Sequence, residues 1–93
     1  METKKVTIEK IEKYWQITSK ALDIIKKSIN PEKEKEAKEI IEMVSSYLSD
    51  SKHFEEKGHY INAFAAINYA HGWVDCGARL KIFNVTDSNL FTI

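Results

Sequence analysis

The run Tyr60-Ile-Asn-Ala-Phe-Ala-Ala-Ile-Asn-Tyr-Ala-His-Gly-Trp-Val-Asp-Cys-Gly-Ala-Arg-Leu-Lys-Ile82 decides how the chain is read. It is apolar nearly all the way round a helix. Ala63, Ala66, Ile67, Ala70, Trp73, Val74 and Leu80 cover one broad side, and Ile61, Phe64, Ala65 and Ile82 lie on much of the other. A helix of this kind is either surrounded by its neighbours or buried against a second chain. The run therefore predicts a long third helix, the most buried of its fold. Gly72 and Gly77 interrupt it, and a glycine inside a helix costs about 1 kcal/mol relative to alanine. Close helix packing is the plain account of both: with Ala63, Ala65, Ala66, Ala70 and Ala78 they make a thin helix, across which Tyr14, Trp15, Tyr47 and Phe54 can lie. A ligand seated over the glycines is the sharper alternative.

Upstream, breakers are rare: the one proline is Pro31, and the remaining glycine is Gly58. From Thr7, the positions Ile8, Ile11, Trp15, Thr18, Leu22, Ile25 and Ile29 recur every three or four residues and form one helical stripe, widened by Tyr14, Ile17, Ala21 and Ile24. Thr7 is placed to cap this helix and Val6 to staple onto Ile11. Glu9 with Lys13 and Asp23 with Lys27 offer pairs four apart. Asn30-Pro31 ends the first helix and starts the second, because proline disfavours the helical conformation before it and suits the first helical position after an Asn cap. The second stripe is Ala37, Ile40/Ile41, Val44, Tyr47/Leu48, Ser51 and Phe54, running to about Glu56 with Gly58 as its stop. After Phe83 the segment Asn84–Asn89 reads as irregular, and Leu90-Phe91-Thr92-Ile93 as an apolar tail able to fold back.

Polar side chains interrupt only the third helix in a patterned way. Asn68, His71, Asp75 and Arg79 are spaced three, four and four apart, so they project from one face. As a site, Asp75 would orient His71 as a base or share a metal with it, and Arg79 would hold a phosphate or carboxylate. As structure, Asp75 and Arg79 would form an ion pair one turn apart, with Asn68 and His71 bonded between helices. The structural reading is preferred, since ion-pair networks that serve only the fold create the same pattern. Two ligands do not define a metal site, and no phosphate-cradling glycine loop is present, so no metal and no cofactor is expected. Cys76, the single cysteine, sits five positions from His71 and reads as an inert small hydrophobe. Trp15 and Trp73 read as core, and His53 and His59 as residues of the junction between the second and third helices.

The 93 residues carry 14 basic and 14 acidic side chains. That balance removes the basic footprint most nucleic-acid binders use, so nucleic acid is disfavoured as a partner. The charges are unevenly placed. Residues 1–30 hold seven Lys and four acids, and residues 31–57 five Lys and eight acids, so a basic first helix faces an acidic second. One cysteine cannot form an internal disulfide, which fits a cytoplasmic setting. The charged N-terminus, Met1 to Thr7, reads as neither signal peptide nor membrane span.

Gly58-His-Tyr60 followed by Ala63 to Leu80 resembles a small group of archaeal proteins, the domain-of-unknown-function family 357. The likeness is carried by the third helix; the first fifty residues agree mainly in being helical and charged. It implies a short, mostly helical domain and assigns no activity, so it gives Asp75 and Arg79 no role. A looser likeness to helical modules that cleave RNA fails at Arg79, which lacks the histidine those modules place four residues later.

The fold expected is all-α: an antiparallel bundle of three long helices with a short C-terminal tail, residues 1–93 forming a single helical domain. The function expected is an intracellular helical interaction or scaffold module that self-associates, as a homo-oligomer or with a partner protein, because a thin core and an apolar third helix both favour a second surface. The alternative is a small-molecule or metal-assisted enzyme, or a ligand-binding protein, using the polar stripe Asn68, His71, Asp75 and Arg79. The sequence carries no demonstrable catalytic site.

Overall fold

Thr7 opens the first helix, its side chain accepting a hydrogen bond from the Lys10 amide at 3.1 Å. In the computed structural model, residues 5–91 are described. Met1–Lys4 of the charged N-terminus, and Thr92 and Ile93 of the apolar tail, lie outside them. Helix α1 spans Ile8–Lys26, α2 Glu34–Glu56 and α3 Tyr60–Arg79, with one 3-10 turn at Pro31–Lys33. The Asn30 side chain caps that turn by accepting from the Glu32 amide at 3.0 Å, and Pro31 takes its first position. Helix α1 stops four residues before the expected Asn30, because Ser28–Asn30 is extended and paired elsewhere. Gly58 ends α2 as read, in the left-handed region at φ 77°, where glycine carries no Cβ penalty. The His59 amide reaches the Phe54 carbonyl at 2.8 Å, and the Gly58 amide reaches that of Glu55 at 3.0 Å.

Contacts between the helices fix their directions. Ser51 Oγ donates to the Ala63 carbonyl at 2.8 Å, Tyr47 stacks on Tyr69, and Ile40 lies against Gly77, so α2 and α3 are antiparallel. Ile11 packs with Ala63 and Ile67, and Thr18 meets His71, so α1 runs parallel to α3 and antiparallel to α2. This is an up-down-up bundle with α3 in the middle: α2 packs on it most extensively, α1 less so, and α1 and α2 touch each other least. The buried stripes follow the sequence closely. They are Ile11, Thr18, Ala21, Leu22 and Ile25 on α1, and Ala37, Ile40, Val44, Leu48 and Ser51 on α2.

Charged residues of the first two helices, Glu12 and Lys13 on α1 with Lys52 and Glu55 on α2, line one shared groove. Lys38 and Glu34 pair within α2 at 3.4 Å, and His71 Nε2 stands 3.7 Å from Asp75 Oδ1 within α3. Most of these charges sit on solvated faces, where a pair gains little over hydration; Glu55 is half-buried, with its Oε1 buried and unbonded.

Helix α3 is shorter than expected, ending at Arg79 and not Ile82. Lys81 turns into the left-handed region at φ 61°, its amide bonding the Ala78 carbonyl at 3.2 Å while the Ile82 amide bonds that of Gly77 at 2.9 Å. This is the helix-ending arrangement usually given to glycine. It throws Phe83 back over Gly77, where Phe83 is fully buried. A Cβ on Gly77 would stand 2.5 Å from Phe83 Cε2 and 3.3 Å from Ile40 Cδ1, so Gly77 is a close-packing glycine, although the ring it admits is Phe83. Ile29 then bridges to Phe83: the Asn30 amide bonds the Ile82 carbonyl at 3.0 Å and the Asn84 amide bonds that of Ser28 at 2.7 Å. Beyond it, Val85 and Phe91 are buried in the main core, so the tail folds back as far as residue 91.

A candidate binding surface on the third helix

The side of α3 turned to α1 and α2 is built of small residues, Ala63, Ala66, Ala70, Gly77 and Ala78, with Ile67 and Val74. The opposite side reaches solvent in the single chain, so the other two helices do not surround α3. Ile61 is 75% exposed, Tyr69 63%, Leu80 61% and Trp73 38%, so Trp73 is not core. Gly72 differs from Gly77 in this chain. Apart from its own helix backbone and its neighbours His71 and Trp73, no atom lies within 4 Å of where its Cβ would stand.

Two neighbouring concavities share Asn68 and Gly72. The outer one, about 550 Å³, is open and mainly apolar, and is completed by Ala65, Tyr69, Trp73 and Cys76. Its Tyr69 ring is held by near-parallel stacking on Tyr47, 5.5 Å between centroids and 17° between planes. Cys76 is exposed there, a free thiol and not a buried hydrophobe.

The second, about 320 Å³, lies between α1 and α3 and contains Tyr14, Thr18, His71 and Asp75. Thr18 Oγ1 stands 3.1 Å from His71 Nδ1, and His71 Nε2 stands 3.7 Å from Asp75 Oδ1. Three of the four residues of the polar stripe, Asn68, His71 and Asp75, thus come together. Arg79 is exposed and is not among the residues lining this groove. Asp75 approaches His71 one turn earlier on α3, and His71 is in turn held by Thr18 of the neighbouring helix. The expected bond from His71 to another helix is present.

Thr18 is the member of this group that the spacing alone hid. It occupies a position of the α1 stripe and is 1% exposed, so it reads as core. The signal was a hydroxyl on an otherwise apolar stripe, which needs a partner once buried. Chemically, Thr18, His71 and Asp75 have the order hydroxyl, imidazole and carboxylate, yet burial of Thr18 denies its oxygen to a substrate. The arrangement suits holding α1 against α3 and offering hydrogen bonds at the groove. Among the described residues no group of three or more His, Cys, Asp or Glu side chains could hold a metal ion, and no helix is long and apolar enough to cross a membrane.

The family model described as "Protein of unknown function (DUF357)" matches residues 13–83. No curated protein and no solved structure matches the chain.

Proposed function

The chain belongs to this family of unknown function, and from the surface of α3 we propose that it is a helical interaction module that self-associates through the outer face of that helix. The observation that carries this is the outward row of Ile61, Tyr69, Trp73 and Leu80 around an apolar concavity, on a helix with no charged residue before Asp75. Single exposed apolar residues are ordinary, whereas a contiguous row on one face is the mark of an interaction site. Aromatic side chains dominate the centres of such sites, and Tyr69 and Trp73 stand at the centre of this one. The near-neutral surface supports a protein partner over nucleic acid. A cytoplasmic setting belongs to the same proposal and is supported by the exposed thiol of Cys76; the archaeal source is what the resemblance implies.

Sedimentation from about 1 to about 100 µM, across the range where interfaces of modest size assemble, tests the proposal. The wild type is expected to move from monomer to dimer, and Tyr69→Glu to remain monomeric with unchanged helicity. A strictly monomeric wild type would sink it.

A second reading, ligand binding, is favoured by the groove that brings Asn68, His71 and Asp75 together. It would serve a small polar molecule, with His71 and Asp75 as its hydrogen-bonding wall. Imidazole-region NMR during a screen of small amines and carboxylates is the check: a His71 shift that Asp75→Asn abolishes would support it.

A further inference from the structure

We propose that the groove between α1 and α2 binds an aliphatic diammonium ion, one ammonium on Glu55 and the other on Glu12. The groove encloses about 450 Å³, a size that suits a small molecule. It shares no lining residue with either concavity on α3, so it is a site apart from those described above. It exists because α1 and α2 pack less on each other than either packs on α3. Its floor holds the buried Ile11 and Ser51 with the half-buried ring of Trp15. Each wall carries an acid, Glu12 on α1 and Glu55 on α2. With Glu9 these carboxylates outnumber the two lysines of the groove, Lys13 and Lys52, three to two.

Two observations point to a cation. The groove already receives one: Lys52 Nζ lies over the Trp15 ring, 4.1 Å from its centroid, and the ring is fixed by its Nε1–H, which donates to the Leu48 carbonyl at 2.9 Å. An indole face is the aromatic surface that attracts ammonium most strongly. Glu55 Oε1, in contrast, is buried and accepts no hydrogen bond, although Lys52 stands one turn before it on the same helix. A carboxylate that has lost water at one oxygen and gained no donor is destabilised. An ammonium entering the groove brings it both donors and a counter-charge, while the resident lysine is engaged by Trp15. The class of ligand follows from the layout. Acid, apolar floor and acid succeed one another across the groove, which matches a run of methylenes with a positive charge at each end. A metal ion would leave the floor unused, and the described residues offer no group of three His, Cys, Asp or Glu side chains to hold one. An anion would meet the carboxylate excess.

Proton–nitrogen NMR of the two indoles tests this on the full chain, titrated with 1,4-diaminobutane at constant ionic strength. The expected result is a saturable shift of the Trp15 signal below about 10 mM, the range of weak binding. The signal of Trp73, on the outer face of α3, should stay in place, and Trp73→Phe identifies which is which. 1-Butanol, which has the chain without the charges, should give no saturable shift. Butylamine, with one charge, should bind at least about tenfold more weakly than the diamine. Glu55→Gln keeps the shape of the side chain and should weaken diamine binding by at least about the same factor. Lys52→Met takes a competing positive charge out of the groove and should tighten binding several-fold, a gain that damage to the fold does not produce. The proposal is overturned by the absence of a saturable Trp15 shift, or by 1-butanol or butylamine matching the diamine. Binding by Glu55→Gln that is no weaker, or by Lys52→Met that is no tighter, overturns it as well.

Discussion

Gly72 and Gly77 are five positions apart on one helix, and the same substitution should move stability in opposite directions. Gly72→Ala gains helix propensity with nothing to collide with, so a monomeric sample should be stabilised by about 0.5–1 kcal/mol in urea unfolding. Gly77→Ala meets Phe83 and Ile40, and overpacking of about 1–3 kcal/mol exceeds the same gain. Its urea midpoint should fall. Lys81, a non-glycine at φ 61°, offers a third case: Lys81→Gly relieves a left-handed residue of about 1 kcal/mol of strain, partly offset by glycine's greater freedom when unfolded. The thermal midpoint should rise by a few degrees. The sequence marks glycines as costly without saying which contact accounts for each. Gly58 was legible because a turn after a helix is local chemistry. The stop at Lys81 was not, since a lysine in that conformation carries no mark and is held there by the burial of Phe83.

At the scale of elements, the stripes of α1 and α2 were readable because each buries one face, and a 3.6-residue period reports one face. Helix α3 is apolar on both sides, so its period reveals neither which side faces inward nor that the other is exposed. The polar stripe was legible as a stripe, but its partners depend on Thr18, 53 positions from His71 along the chain. Two cross-helix bonds test how the elements are held. Ser51→Ala removes a fully buried hydroxyl that joins α2 to the Ala63 carbonyl of α3, and should cost about 1 kcal/mol in urea unfolding. Thr18→Val keeps the shape of the side chain and removes the partner of His71 Nδ1. Nitrogen NMR of the imidazole should then show a changed His71 environment, while the other two histidines, His53 and His59, keep theirs.

For the whole molecule, the main core draws on all three helices and on the segment after them. The family match stops at Phe83, and the buried Val85 and Phe91 follow it, so this chain closes its core with residues beyond the shared region. Phe91→Ala should cost about 3 kcal/mol or more, as large-to-small changes in a core do, visible as a large drop in thermal midpoint. The apolar tail could be expected from its composition; its seat could not, because it depends on the turn at Lys81. The bridge between Ile29 and Phe83 has a dynamic consequence. It ties the loop between α1 and α2 to the chain emerging from α3, so the helix with the weakest lateral packing is fastened at its far end to the other two. Peeling α1 away requires releasing that clasp, which couples local opening to global unfolding. The amides of Asn30 and Asn84 should therefore exchange with solvent deuterium as slowly as those of the central helix, although both residues lie outside regular secondary structure.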